Sequence, residues 1–268
     1  MSDRVLRFRP FDSDAIEVLL CDADGNLFAS EEPAFVASTA VTNQLLATLG
    51  IDRAFAPDEL QRRAVGRNFR STALELAAEA GEPIDPDVLQ SWVLREQREV
   101  VAHLASVLRP DPAVSTPLAA LESRFGLAVV SSSAQARLDA CFRAAGLDDL
   151  FPPSVRFSAE DSLPVPTSKP DPAIYAFAGR ELGVEADAGL AIEDAVAGAE
   201  SAVAAGFPTV GNLQFVAPEE REDRIAALRD AGVAAIVESW SDLVSLLGRD
   251  ATLGPGRNRV HETEGAVR

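Results

Sequence analysis

Asp22 and Asp24 stand two residues apart in the segment Asp22-Ala23-Asp24-Gly25-Asn26-Leu27, directly after the apolar run 16–21. Two carboxylates at that spacing at a strand's exit can divide a reaction between them, one attacking while the other shuttles protons. So close together they repel, and both ionise readily only beside a cation. Aspartate and glycine are also ordinary turn residues, so a plain Asx turn accounts equally well for this segment taken alone.

Three further segments follow in the chain. Ser131-Ser132-Ser133 comes after the apolar residues 127–130 and before a helical pattern over 134–145 that Gly146 closes. Free N–H groups at that helix start, together with the hydroxyls, make an anion seat; serines serving only as N-caps fit the same pattern. In Ser168-Lys169-Pro170-Asp171-Pro172, Asp171 can cap a helix over 173–182 and Pro172 can occupy its first turn. A lysine just before a helix start gains nothing from the helix dipole, so Lys169 either faces an anion or carboxylate or is solvated in its loop. Glu193-Asp194 ends the apolar run 189–192, ahead of a small-residue helix opening Ala195-Val196-Ala197-Gly198. Acids there, beside Asp22, offer oxygen ligands to a hard divalent cation such as magnesium, a role compatible with Asp194 capping the next helix.

The elements that must position these groups are legible in the periodicity. Run 16–21 is short, nearly continuous in apolar residues and followed by glycine, as in a strand buried on both faces of a parallel sheet, where ligands gather at the carboxyl ends. Helix-period segments fill 34–49, 57–65, 71–80 and 86–108 with almost no strand signal between them. After 117–125, helices alternate with apolar runs at 155–157, 209–210 and 234–237. The expected class is α/β, a doubly wound Rossmann-like parallel sheet with an inserted α-helical cap domain. Residues 1–14 read as a loosely attached arm, 15–32 and 110–250 as the core domain, 33–109 as the cap and 251–268 as a disordered tail.

Taken in order, the four segments resemble the motifs of the haloacid dehalogenase superfamily, in its beta-phosphoglucomutase-like and sugar-phosphate phosphatase branch, across residues 16–245. The resemblance implies that Asp22 is a nucleophile taking a phosphoryl group, and that Asp24 is the general acid for the leaving alcohol and then the base for water. It implies that Ser131 and the backbone N–H of Ser132 cradle the phosphate while Lys169 neutralises charge on it and on Asp22. Asp22, the main-chain carbonyl of Asp24, and Asp194 resemble magnesium ligands, with Glu193 as ligand or support. The stretch Gly66-Arg67-Asn68-Phe69-Arg70 resembles a substrate-specificity loop in which Arg67 or Arg70 meets the leaving group; solvated arginines at a helix junction fit as well. Glu31 and Glu32 either bind sugar hydroxyls or are first-turn helix charges.

Asn26 stands where such proteins usually carry threonine or valine, and Phe28-Ala29-Ser30-Glu31 replaces the commoner Val-Asp-Ser-Glu. Neither change touches a reacting group. No histidine lies near Ala34, the chain having only His103 and His261, which disfavours a mutase; Asp24 argues against dehalogenation, which needs no leaving-group acid. The expected activity is magnesium-dependent hydrolysis of a small phosphorylated sugar, sugar acid or polyol. The alternatives are a beta-phosphoglucomutase-like sugar phosphomutase and a non-catalytic binding relative that keeps the fold.

Composition bounds this reading. The 268 residues suffice for one α/β core with a smaller insertion, and 47% hydrophobic with 25% charged content indicates a soluble globular chain. A net charge of −18 excludes nucleic acid and anionic membranes as partners and leaves a small phosphorylated molecule, whose approach the global field opposes. Magnesium and Lys169 must therefore reverse the sign locally. Cys21 and Cys141 read as buried reduced thiols, and neither a membrane span nor a signal segment is read, so a cytoplasmic monomer or weak homodimer is expected.

Overall fold

The computed structural model describes residues 5–64 and 68–248. Seven strands form one sheet: β1 (Val5–Arg7), β2 (Val18–Cys21), β3 (Gly126–Ser131), β4 (Arg156–Ser158), β5 (Gly189–Glu193), β6 (Thr209–Asn212) and β7 (Ala235–Val237), in the spatial order β1-β7-β6-β5-β2-β3-β4. All pairings are parallel except that of β1 with β7. β2 lies inside the sheet, between β5 and β3, because every side chain it carries is apolar. Leu19 and Cys21 pack with Leu127, Val129, Leu190 and Ile192 on one face, while Leu20 packs with Ala128, Val130 and Ala191 on the other. Cys21 pairs with both Val129 and Ile192, so Asp22, Val130 and Glu193 lie at one level near the carboxyl ends of three adjacent strands. That register puts the two ends of a chain segment spanning more than half the sequence side by side.

Between β2 and β3 lie α1 (Glu31–Thr48), α2 (Pro57–Arg63), α3 (Phe69–Ala80), α4 (Pro86–Val107) and α5 (Pro112–Glu122). The first four bury Leu46, Phe55, Leu60 and Leu76 in one small cluster and Leu45, Ala73 and Leu89 in another. Val100 and Leu104, near the end of α4, instead join the main core. The insertion thus has apolar clusters of its own but is tied to the main core by α4 and, through Ala34 and Ala37, by α1. α5, α6 (Gln135–Ala145) and α10 (Trp240–Gly248) cover the first face with Leu118, Phe142 and Trp240; α7 (Ala173–Leu182) and α8 (Val196–Ala204) cover the second with Ile174, Tyr175 and Ala202. α9 (Arg221–Ala231) adds Leu228 against Ala199 and Ile236. The α/β class expected from the sequence is the one observed.

Two expectations need correction. Residues 5–7, read as part of a loose arm, are an edge strand: Val5 pairs with Val237, and the N–H groups of Phe8 and Arg9 donate to Ala234 O at 2.8 and 3.0 Å. Three residues are too few to show a strand period, and tertiary pairing makes the strand. α1 starts at Glu31 rather than 34, because Pro33 falls in its first turn, where a missing N–H is harmless. Val65, Gly66 and Arg67 and the tail from 249 onward lie outside the described residues, so the expectations for Arg67 and for 251–268 are not met with structure. Among the described residues no helix is long and apolar enough to cross a membrane.

Candidate active site

Asp22 follows β2 directly, and its N–H donates to Ile192 O at 2.9 Å, continuing the pairing with β5 by one step. The chain then turns back sharply. Gly25, at φ +80, donates to Phe28 O at 3.0 Å, and a Cβ there would lie 2.5 Å from Asp194 Oδ2. Only glycine gives both that conformation and that approach. Asn26 is wholly buried; its Nδ2 donates to Asp22 O at 2.9 Å and Ile192 O at 3.0 Å, and its Oδ1 accepts from Asn212 Nδ2 at 2.8 Å. The departure that looked neutral in sequence is the amide that ties the exit of β2 to β5 and β6.

Lys169, two residues before the capping residue Asp171, reaches into this crevice. Its Nζ donates to Asp22 Oδ1 at 2.5 Å, Glu193 Oε1 at 2.6 Å and Val130 O at 2.7 Å, using all three ammonium protons. Burial opposes the charge, but Asp22 and Glu193 outweigh it and hold the lysine above its ordinary pKa. Tyr175 OH also donates to Glu193 Oε1, at 2.5 Å, and the Lys169 ammonium stands 5.2 Å from the centre of that ring. Ser131 Oγ accepts from Ser133 N–H at 3.1 Å, and Ser132 Oγ accepts from Lys169 N–H at 3.1 Å, so the serine turn and the lysine loop are stitched together.

Asp24 faces the other way. Its Oδ1 accepts from Arg137 Nη2 at 2.7 Å and from the Ser30 hydroxyl, and its Oδ2 accepts from Ser133 Oγ at 2.6 Å. Burial alone would raise its pKa; Arg137 and the two hydroxyls overcome that and hold the carboxyl below the usual range.

Asp22, Glu193 and Asp194 each offer a ligand oxygen within 4.8 Å of the others. Burial and mutual repulsion raise the pKa of all three, Glu193 to about 7 despite Lys169. Asp194 Oδ1 and Glu193 Oε2 are buried with no hydrogen-bond partner among the described residues. Unpartnered buried carboxylate oxygens beside a third acid fit a hard divalent cation, which would supply the charge they lack. Arg224 donates to Asp194 O at 2.6 Å but is 3.9 Å from Oδ2, too far to satisfy that oxygen.

The structure brings Asp22, Asp24, Ser131, Ser132, Lys169, Glu193 and Asp194 together. Glu31 opens α1 and lines a cavity of about 370 Å3 with Glu32, Gln61, Asp194 and Arg224; burial and the acids around it raise its pKa. Arg70 does not join them: on α3, it donates to Gln90 of α4, within the insertion. Ser133, read from sequence with the anion seat, instead gives its hydroxyl to Asp24, and Arg137, Ser30, Tyr175 and Arg224 were not singled out from sequence. Arg137 carried a usable signal, since a cation in the first turn of α6 opposes the dipole just as Lys169 does beside α7.

A family model described as haloacid dehalogenase-like hydrolase matches residues 16–206. Protein CbbY of Cereibacter sphaeroides is 25% identical over 239 residues, covering 88% of this chain and 98% of that protein. A Deinococcus radiodurans hydrolase of the same family, solved with bound phosphate and sodium, is 26% identical with a TM-score of 0.64, covering 91% of this chain and all (100%) of the other. A candidate beta-phosphoglucomutase of Thermotoga maritima is 25% identical with a TM-score of 0.66, covering 88% and 100% of the two chains.

Proposed function

Because the chain belongs to the haloacid dehalogenase-like hydrolases, we propose that it is a magnesium-dependent phosphatase, hydrolysing a small phosphorylated sugar, sugar acid or polyol through an aspartyl-phosphate on Asp22. One observation carries the reading: Lys169 Nζ bridges Asp22 and Glu193 at 2.5 and 2.6 Å where β2 and β5 end, beside carboxylate oxygens with no partner. A buried cation against a carboxylate positioned to attack is what phosphoryl transfer asks of a protein, since that reaction is mostly positioning and charge stabilisation.

Asp22 attacks phosphorus as the bond from phosphorus to the alcohol oxygen breaks, and Asp24, which must enter this step in the protonated form that Arg137 disfavours, gives that oxygen its proton. Water then attacks the phosphorus of the aspartyl-phosphate, Asp24 takes its proton, and Asp22 departs as a carboxylate. One ester and one water give one alcohol and one phosphate. Ser131 and the Ser132 N–H hold the phosphoryl oxygens, and Lys169 neutralises them. Asp22, Glu193, Asp194 and the Asp24 carbonyl would hold magnesium, which when bound supplies positive charge to the phosphoryl group and orients it. The cavity beside Asp194, lined by Glu31, Glu32, Gln61, Glu220 and Arg224, suits a leaving group rich in hydroxyls, with Arg224 able to meet a carboxylate. Arg67 remains a proposal for that end of the substrate, and the protein acts on free small molecules in the cytoplasm as a monomer or weak homodimer.

A phosphomutase is the second reading, favoured by the likeness to the Thermotoga maritima protein. The discriminating experiment is release of inorganic phosphate from a panel of sugar, polyol, sugar-acid and nucleotide monophosphates, with magnesium or with chelator. Magnesium-dependent release, fastest with sugar or polyol esters, is expected. Turnover of nucleotides alone, or activity indifferent to chelator, would overturn the proposal; isomerisation of a hexose phosphate on addition of a bisphosphate, with little release, would establish the mutase.

A further inference from the structure

Arg137 sits in the first turn of α6, and among the described residues its Nε is buried without a partner, yet its Nη2 lies 2.7 Å from Asp24 Oδ1. The position is a poor one for stability. A first-turn cation opposes the helix dipole, and a half-buried ion pair returns little against the desolvation of both groups. The contact does something else: with Ser133 on Oδ2 and Ser30 on Oδ1, it fixes the plane of the Asp24 carboxylate and the direction in which its oxygens point. Serine hydroxyls can rotate with a carboxylate, whereas a guanidinium on a packed helix cannot. Arg137 also lines the cavity of about 620 Å3 between α4 and α6, with Ser132, Ser133, Glu96 and Val100, and it contacts Asp24 while Lys169 contacts Asp22.

We infer that Arg137 is a positioning residue for the proton-transfer step: it holds Asp24 aimed at the oxygen that leaves phosphorus, and its removal lets the carboxyl swing out of line while the phosphate seat stays intact. This rests on the reading of Asp24 as acid and base. A misaimed acid matters most when the leaving oxygen is strongly basic and hardly at all when it departs unaided.

The test is kcat/KM, which reports the first step, across dinitrophenyl phosphate, p-nitrophenyl phosphate, phenyl phosphate and glycerol 3-phosphate, for the parent, Arg137→Met, Arg137→Lys and Asp24→Asn in saturating magnesium. Arg137→Met is expected to leave dinitrophenyl phosphate within about twofold of the parent and to lose roughly ten- to hundredfold on glycerol 3-phosphate, a part of what a general acid contributes. Arg137→Lys should recover part of that loss. An equal loss on every ester, or one residing in KM alone, would overturn the inference, because a structural or phosphate-gripping arginine acts on all of them alike. A parental profile for Arg137→Met beside a steepened one for Asp24→Asn would refute the role of Arg137 alone. Parental profiles for both would show instead that Asp24 is not the acid.

Discussion

Among the described residues, Gly25 and Gly198 are the two positions where a single methyl group would reach the acids. A Cβ at Gly25 would meet Asp194 Oδ2 at 2.5 Å in a left-handed backbone, and one at Gly198 would meet Glu193 Oε2 at 1.9 Å. Gly25→Ala should therefore move Asp194 before it unfolds anything. The expected result is a weakening of magnesium affinity of roughly 10–100-fold, the scale seen when a ligand's support is disturbed. It is measured by titrating the metal against activity and against thermal stability, and an unchanged half-saturation concentration would remove Asp194 from the metal. Gly198→Ala should push Glu193 off Lys169 and Tyr175, with a stability loss of about 1–3 kcal/mol from overpacking, read by denaturant unfolding; unchanged stability would mean that Glu193 yields freely.

At the scale of elements, the site exists because β2, β3 and β5 pair in register, their carboxyl ends fall within two residues of one level, and the acids and serines lie at or just beyond those ends. That much was legible in the sequence: each motif is contiguous, each follows an apolar run, and parallel sheets gather ligands at those ends. Lys169 was legible too, although 147 residues separate it from Asp22, because a lysine beside a helix start asks for an anion. The same argument applies to Arg137, and its partner Asp24 is 113 residues away. What hid it was a helix pattern in which an arginine between alanine and leucine reads as a solvated face. Tyr175 was hidden by its own helix, where an aromatic at a core position gives no hint that its hydroxyl lies on Glu193. Asn26 was noticed as a departure, but only the paired carbonyls around it give its amide a purpose. α4 carries a further prediction, since Leu104 is wholly buried in the main core while the rest of its helix belongs largely to the insertion. Leu104→Ala should cost about 2–5 kcal/mol in denaturant unfolding, and a loss below 1 kcal/mol, on the order of a surface change, would show that α4 is not anchored there.

For the whole molecule, buried acids govern how stability follows pH. Burial and the neighbouring Asp22 raise Glu193 to about 7, and Asp22 and Asp194 shift in the same direction. In metal-free protein the folded state then keeps protons that the unfolded chain has already released, so stability falls as pH rises from the ordinary carboxylate range to about 7. Bound magnesium should flatten that decline and, at a concentration about 100 times its Kd, add roughly 2.7 kcal/mol. Melting temperatures taken across this window with chelator and with magnesium decide the matter; a chelated protein that gains stability as pH rises would contradict it. On a chain of net charge −18 the proposed phosphate site needs a local reversal of sign, and two of the acids proposed to hold the cation, Asp22 and Glu193, are also the ones that bind Lys169. The covalent step on Asp22 is the centre of the account, and its most direct test is to quench turnover with acid and map the phosphoryl group on the peptide that contains residue 22. The predicted result is a hydroxylamine-labile phosphate on Asp22 that forms only with magnesium and is absent from Asp22→Asn, which stays folded and inactive. Turnover with the phosphate on another residue, or undiminished in Asp22→Asn, would contradict it.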